Sequence, residues 1–281
     1  MGWFEALILG IVQGLTEFLP ISSSAHISIV GQVFFGGHDP GAAFTAMVQL
    51  GTETAVLIYF WRDIVRIIGQ WAKSLVGKAP RNDPDARMGW LVIIGSIPIG
   101  VLGLLFQDQI ESTLRNLWIT VAMLAGFGVV IAIIDRLARN ERTLEQITWK
   151  HGILYGCAQA LALIPGVSRS GGTIAAGLAM GYKREAAARY SFLLALPAVY
   201  ASGFYQLAKE LNDPSPDTAW GPVVLATVVC FVIALAVIHW LLKFVSTHSY
   251  VAFCIYRIAI AAVVAVLLIT GVIPPVPATA G

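Results

Sequence analysis

Apolar residues run along the chain in long blocks, and the length of each block limits what it can be. A helix rises 1.5 Å per residue, so ~20 apolar residues cross a hydrocarbon core of about 30 Å. Six blocks qualify, roughly 41–61, 90–106, 117–135, 187–207, 221–242 and 251–271, and are predicted to be transmembrane helices. Two further apolar regions, 1–38 and 150–185, are broken in the middle, the first by Gln13 to His26 and the second by Pro165 to Thr173. Each arm holds only ~10–15 residues, about 15–22 Å of helix, which ends at mid-membrane. Irregular backbone survives at that depth only where protein buries it or it lines a wet cavity. Both regions are therefore predicted to be re-entrant helical hairpins, and the fold class is an all-α polytopic membrane protein.

The polar intervals carry unequal charge. Arg62, Arg66, Lys73, Lys78, Arg81 and Arg87 crowd the interval 62–89, and Arg136, Arg139, Arg142 and Lys150 the interval 136–150. Lys183, Arg184, Arg189 and Lys243 join that side if six spans alternate, against only Arg115 and Lys209 on the other. Cytoplasmic loops hold the excess of Lys and Arg, so the crowded side is cytoplasmic and both termini are predicted to be external. Arg169 and Arg257 fall within apolar segments; Arg257, near the start of the last block, is expected to snorkel to the cytoplasmic surface.

The pattern also repeats, at an offset of about 146. Gly10-Ile-Val-Gln13 matches Gly156-Cys-Ala-Gln159, and Leu19-Pro20-Ile-Ser-Ser-Ser24 parallels Ile164-Pro165-Gly-Val-Ser-Arg-Ser170 with one residue of slippage. Each half, 1–145 and 146–281, is then a hairpin followed by three spans within one membrane domain. Three is odd, so the second half is inverted, and inverted repeats with broken helices place a polar site at the midplane.

Composition removes other classes. The 281 residues are 57% hydrophobic and 12% charged, so disorder is excluded. A net charge of +2 gives no reason to expect nucleic-acid binding. Three cysteines, all in apolar stretches, cannot close a disulfide framework. The first residues include Glu5 and no Lys or Arg, unlike a secretory signal, so the N-terminal apolar stretch reads as mature structure.

The chemistry sits in the two breaks. Gln13 and Glu17 are four apart, hence on one helix face, and Pro20, Ser22, Ser23, Ser24 and His26 follow. The second break holds Ser168, Arg169, Ser170, Gly171, Gly172 and Thr173. Glycines let backbone N–H groups approach an oxyanion, a helix start adds partial positive charge, and arginine adds a planar fork suited to phosphate. A charge at the bilayer centre costs at least ~2.5–3.5 kcal/mol. Glu17 and Arg169 therefore point to phosphoryl chemistry on a lipid whose tail stays in the bilayer. A buried Glu17–Arg169 pair that only fixes hairpin packing is the structural alternative.

Gln13-x-x-x-Glu17 with Phe-Leu-Pro-Ile-Ser-Ser-Ser-Ala-His26, and Pro165-Gly-Val-Ser-Arg-Ser-Gly-Gly-Thr173, resemble the undecaprenyl-diphosphate phosphatase family, the bacitracin-resistance phosphatases. The resemblance covers essentially the whole chain, including Gln49-Leu-Gly51 and Phe60-Trp61-Arg62. It implies a bacterial plasma-membrane enzyme that regenerates undecaprenyl phosphate from the diphosphate for peptidoglycan synthesis, bacitracin resistance, and a divalent cation, Mg²⁺ or Ca²⁺. Carried over, Gln13 and Glu17 form the acidic motif and metal site, Ser23 and His26 the nucleophile region, and Ser168, Arg169, Ser170 and Thr173 the phosphate loop, with Ser22 and Gly171 as neighbouring phosphate contacts. Position 13 is Gln where many members have Glu, and Glu53, mid-span, either supplies the missing carboxylate or pairs inside the bundle. A homodimer is the candidate assembly.

The expected mechanism is attack by Ser23 on the terminal phosphorus, with His26 or Glu17 taking its proton and Arg169 stabilising charge. His26 as nucleophile and metal-bound water are the variants. A polyprenyl-phosphate or anion transporter and a non-catalytic lipid-binding protein are the rival classes.

Overall fold

The computed structural model describes residues 1–35, 38–39, 41–80, 82–213, 219–276 and 278–279, and the side chains of all of these except 38, 39, 41, 42, 111, 278 and 279. Twelve α-helices account for most of them. Helices α1 (Trp3–Thr16) and α2 (Ser23–Phe34) flank the first break; α3 (Gly41–Tyr59), α4 (Trp61–Leu75), α5 (Pro84–Leu105), the short α6 (Gln107–Glu111) and α7 (Leu117–Leu137) follow. Helices α8 (Trp149–Ala160) and α9 (Arg169–Ala179) flank the second break, and α10 (Arg184–Asn212), α11 (Trp220–Val245) and α12 (Val251–Ile269) complete the chain. Five of these helices are long and apolar enough to cross a membrane, or six if α3 and α4 count as one broken span.

Local chemistry sets the boundaries. Asp83 caps α5 by accepting from Ala86 N at 2.8 Å with Pro84 in the first turn, and Asn116 and Thr148 cap α7 and α8 in the same way. The charge-rich interval after Trp61 is a helix rather than a loop: the chain turns by 80° at Phe60 into α4. Ile64, Ile67 and Trp71 recur at helical spacing and pack inward, while Arg62, Arg66 and Lys73 stay outside. Trp71 lies against α5 at Gly89, where an added Cβ would come within 2.8 Å of it.

Two close crossings share the 146-residue spacing. Gly10 lets α1 lie on α11, where a Cβ would sit 2.8 Å from the Ala226 carbonyl oxygen; Gly156 lets α8 lie on α5, 2.6 Å from that of Gly95. At the α3–α10 crossing Thr54 Oγ1 and Tyr200 OH, themselves 146 apart, hydrogen-bond at 3.1 Å. Polar segments sort to two ends of the bundle. At one, Arg189 pairs with Asp63, Arg184 with Asp135, and Arg87 donates to the Glu145 carbonyl. At the other, Leu117 N donates to Pro275 O, and His38–Asp39 pairs in parallel with Ala278–Thr279.

Candidate functional site

The two breaks meet inside the bundle, and backbone carbonyls show what holds them. Arg257 on α12 is fully buried and has no acid partner among the described residues. Its guanidinium donates to Pro20 O of the first break at 2.7 Å, to Gly166 O and Val167 O of the second at 2.7 and 3.2 Å, and to Met123 O and Leu124 O of α7 at 3.2 and 3.1 Å. The expected snorkelling is therefore wrong. The three carbonyls of the breaks, Pro20 O, Gly166 O and Val167 O, lie outside the helices and are a stronger attraction than the headgroup region, because an unpaired buried acceptor costs about 1–3 kcal/mol. Ser170 Oγ adds a direct bond across the breaks, donating to Leu19 O at 2.9 Å.

Each second arm begins with a serine at positive φ, Ser22 at +72° and Ser168 at +74°, again 146 residues apart. Such backbone costs about 1–3 kcal/mol for a residue with a Cβ and persists where the surroundings enforce it. It turns both chains sharply into α2 and α9. Ser168 Oγ then caps α9 by accepting from Gly171 N at 3.1 Å. The one-residue slippage seen in the sequence is absorbed before these serines, so that Ser23 and Arg169 occupy equivalent first positions.

Glu17 is the centre of the site. Its Oε2 accepts from Ser23 Oγ at 2.5 Å, from Gln13 Nε2 at 2.7 Å and from Gln49 Nε2 at 3.4 Å. Its Oε1 accepts from Arg169 Nη2 at 2.5 Å. Glu53 reaches the same nitrogen at 2.6 Å from behind. A cavity of about 710 Å³ opens onto this cluster. Glu17, Ser22, Ser23, Ser24, Ser168 and Arg169 form its polar floor, and α5 and α10 supply apolar walls through Ile93, Ile97, Leu104, Pro197 and Val199.

The remaining expected site residues divide. Ser170, Gly171 and Thr173 lie off the cavity: Thr173 Oγ1 donates to Arg169 O at 2.7 Å and bonds Ser191 Oγ at 2.6 Å, so these groups shape the loop that presents Arg169. Gln13 also lies behind the floor and braces Glu17. His26 shares the opening turn of α2 with Ser23, but its ring has other partners. Nδ1 meets Ser22 O at 2.7 Å, and a carbonyl can only accept, so Nδ1 carries the proton. Nε2 meets Tyr256 OH at 2.9 Å. Both nitrogens are thereby engaged away from Ser23. Sequence reading assigned Arg257 to the wrong place and missed Tyr256; for Arg257, an arginine in an apolar block without a nearby acid was the available signal.

The family model of the bacitracin resistance protein BacA matches residues 6–263. The undecaprenyl-diphosphatase of Pseudarthrobacter chlorophenolicus is 64% identical over 275 residues, 97% of this chain and 99% of the relative. That of Micrococcus luteus is 62% identical with the same shares, and that of Kineococcus radiotolerans is 62% identical over 281 residues, 100% of this chain and 99% of the relative.

Proposed function

The chain belongs to the bacitracin resistance protein BacA family, and on that footing we propose that it hydrolyses undecaprenyl diphosphate to undecaprenyl phosphate and inorganic phosphate. This recycles the lipid carrier of peptidoglycan synthesis and confers bacitracin resistance. One observation carries the reading at the level of atoms: Ser23 Oγ donates to the Glu17 carboxylate at 2.5 Å beside Arg169, at the polar end of a cavity whose walls are apolar. That arrangement suits a substrate with an anionic head and a prenyl tail.

Ser23 attacks the terminal phosphorus as Glu17 takes its proton. The bond from phosphorus to the bridging oxygen breaks, undecaprenyl monophosphate leaves, and water hydrolyses the phosphoserine. A serine is a weak nucleophile without such a base. Glu17 has the required contact, and His26 instead props the turn through Ser22 O. Arg169 and the hydroxyls of Ser22, Ser24 and Ser168 receive the equatorial oxygens.

A divalent cation, Mg²⁺ or Ca²⁺, fits this floor in a minimal way. Mg²⁺ is commonly held by one or two carboxylates with substrate phosphates and water. Glu17 would supply the cavity-facing carboxylate, and the diphosphate and water would supply the other oxygens. The cation would neutralise phosphate charge. Gln13 braces Glu17, and Glu53 lies behind Arg169, so neither faces that position.

The arrangement in the membrane is six spans and two re-entrant hairpins forming an inverted repeat, in the bacterial plasma membrane with both termini outside. Support comes from the paired positive-φ serines, the paired Gly10 and Gly156 crossings and the sorting of polar segments to two ends. The same internal symmetry suits an alternating-access transporter, which is the second reading.

Phosphate release from undecaprenyl diphosphate by the purified chain in detergent separates the two, since a transporter releases none. Arg169→Ala is expected to lower turnover about 10²–10³-fold. Arg169→Lys should fail substantially as well, because a point charge does not reproduce the fork. Normal turnover by Arg169→Ala would remove the site assignment.

A further inference from the structure

Glu53 sits in the middle of α3 with no exposed surface, a place where a span needs no acid. Its Oε1 takes Arg169 Nη2 at 2.6 Å, and its Oε2 is buried without a hydrogen-bond partner. Glu17 Oε1 takes the same nitrogen at 2.5 Å. Both acids thus crowd one end of the guanidinium, while Nη1 is buried and unpartnered. The acids differ in what else they face. Glu17 forms part of the cavity floor and holds the Ser23 hydroxyl; Glu53 lies outside the cavity wall, and Arg169 is its one ion-pair partner among the described residues.

Glu17 therefore has two tasks that conflict. An ion pair favours the charged form of a carboxylate and so opposes proton transfer to it. Arg169 must loosen from Glu17 for Glu17 to take the Ser23 proton, yet a guanidinium that is only 13% exposed needs a counter-ion throughout. We propose that Glu53 is a positioning residue that anchors Arg169 by Nη2, so that Arg169 can leave Glu17 and present Nη1 to the terminal phosphate without losing its counter-charge. When the proton passes from Ser23 to Glu17, Glu53 and Arg169 remain as a matched pair, and Glu17 becomes neutral. This rests on the reading of Ser23, Glu17 and Arg169 given above.

The test is a double-mutant cycle on the full chain purified in detergent, with undecaprenyl diphosphate as substrate and thermal melting of the same samples. Glu53→Leu keeps the volume and removes the acceptor; Glu53→Gln keeps an acceptor oxygen and removes the charge. The expected loss in kcat/KM is about 10²-fold for Leu, the low end for one lost charge contact, and about tenfold smaller than that for Gln, which keeps an acceptor. In an Arg169→Lys background neither should cost more than about 3-fold further, because Glu53 acts through the guanidinium and coupled residues are non-additive. A packing role would cost the same in both backgrounds. Wild-type turnover by Glu53→Leu, or additive losses with Arg169→Lys, would overturn the proposal. If Glu53→Leu does not fold, the Gln cycle decides alone. Activity surviving in Arg169→Ala is a separate failure, that of the site assignment itself.

Discussion

At the scale of residues, the two groups that follow the first break in sequence separate in their hydrogen-bond partners. Ser23 turns to Glu17, whereas His26 ties Ser22 O to Tyr256 OH. A serine three residues before a histidine can share its helix face, so the sequence allowed either pairing and the position of α1 decided between them. Comparing His26→Gln with His26→Ala distinguishes a prop from a base. The glutamine amide can still donate to Ser22 O, so turnover should fall in the order wild type, Gln, Ala. Removal of a general base costs about 10²–10⁴-fold whichever residue replaces it, and equal, severe losses in both variants would return His26 to the base role. Arg169 and Glu17 were legible from the cost of placing charge in an apolar block. The second partner of Arg169, Glu53, stood out in the sequence as a mid-span acid, but which group it pairs with depends on α3 bringing it to the start of α9.

At the scale of elements, the breaks were legible and what fixes them was not. Proline, glycine and serine runs interrupt two apolar regions, and the structure breaks the helices at both. The positive φ of Ser22 and Ser168 has no side-chain signature, since glycine is the residue that normally announces it. Arg257 was misread because its acceptors are carbonyls from three separate segments, and carbonyls leave no mark in a sequence. Arg257→Leu strands the carbonyls of the two breaks and should destabilise the protein by on the order of 3 kcal/mol, read as a lowered melting temperature in detergent. A melting temperature within a degree of wild type would contradict that role. The crossings at Gly10 and Gly156 make a matched pair. Gly10→Val and Gly156→Val each drive a side chain into a neighbouring backbone, which cannot move aside as a flexible side chain would. Both should lower expression and melting temperature to a similar extent, and tolerance of either would mean that the equivalent crossings are not equivalent in packing.

At the scale of the whole molecule, hydrophobic block lengths located the long helices, and charge counting then absorbed α4 into a loop. The periodicity of Ile64, Ile67 and Trp71 was available, but a charge-rich interval between spans reads as loop when only charges are counted. Both ends of the bundle have their own polar fasteners. Single-cysteine labelling, in a background lacking Cys157, Cys230 and Cys254, should find positions in α4 cytoplasmic and positions after Pro274 external. Labelling of both from one side would contradict the six-span, inverted arrangement. The central claim is that this bundle brings Ser23, Glu17 and Arg169 together to take phosphate from a lipid diphosphate. Its most direct test is to trap the protein during turnover of undecaprenyl diphosphate labelled in the terminal phosphate and to map the label. The expected result is phosphate on Ser23, absent in Ser23→Ala and strongly reduced in Glu17→Gln, with Ser22→Ala and Ser24→Ala still labelled. Label on His26, or full turnover by Ser23→Ala, would contradict it.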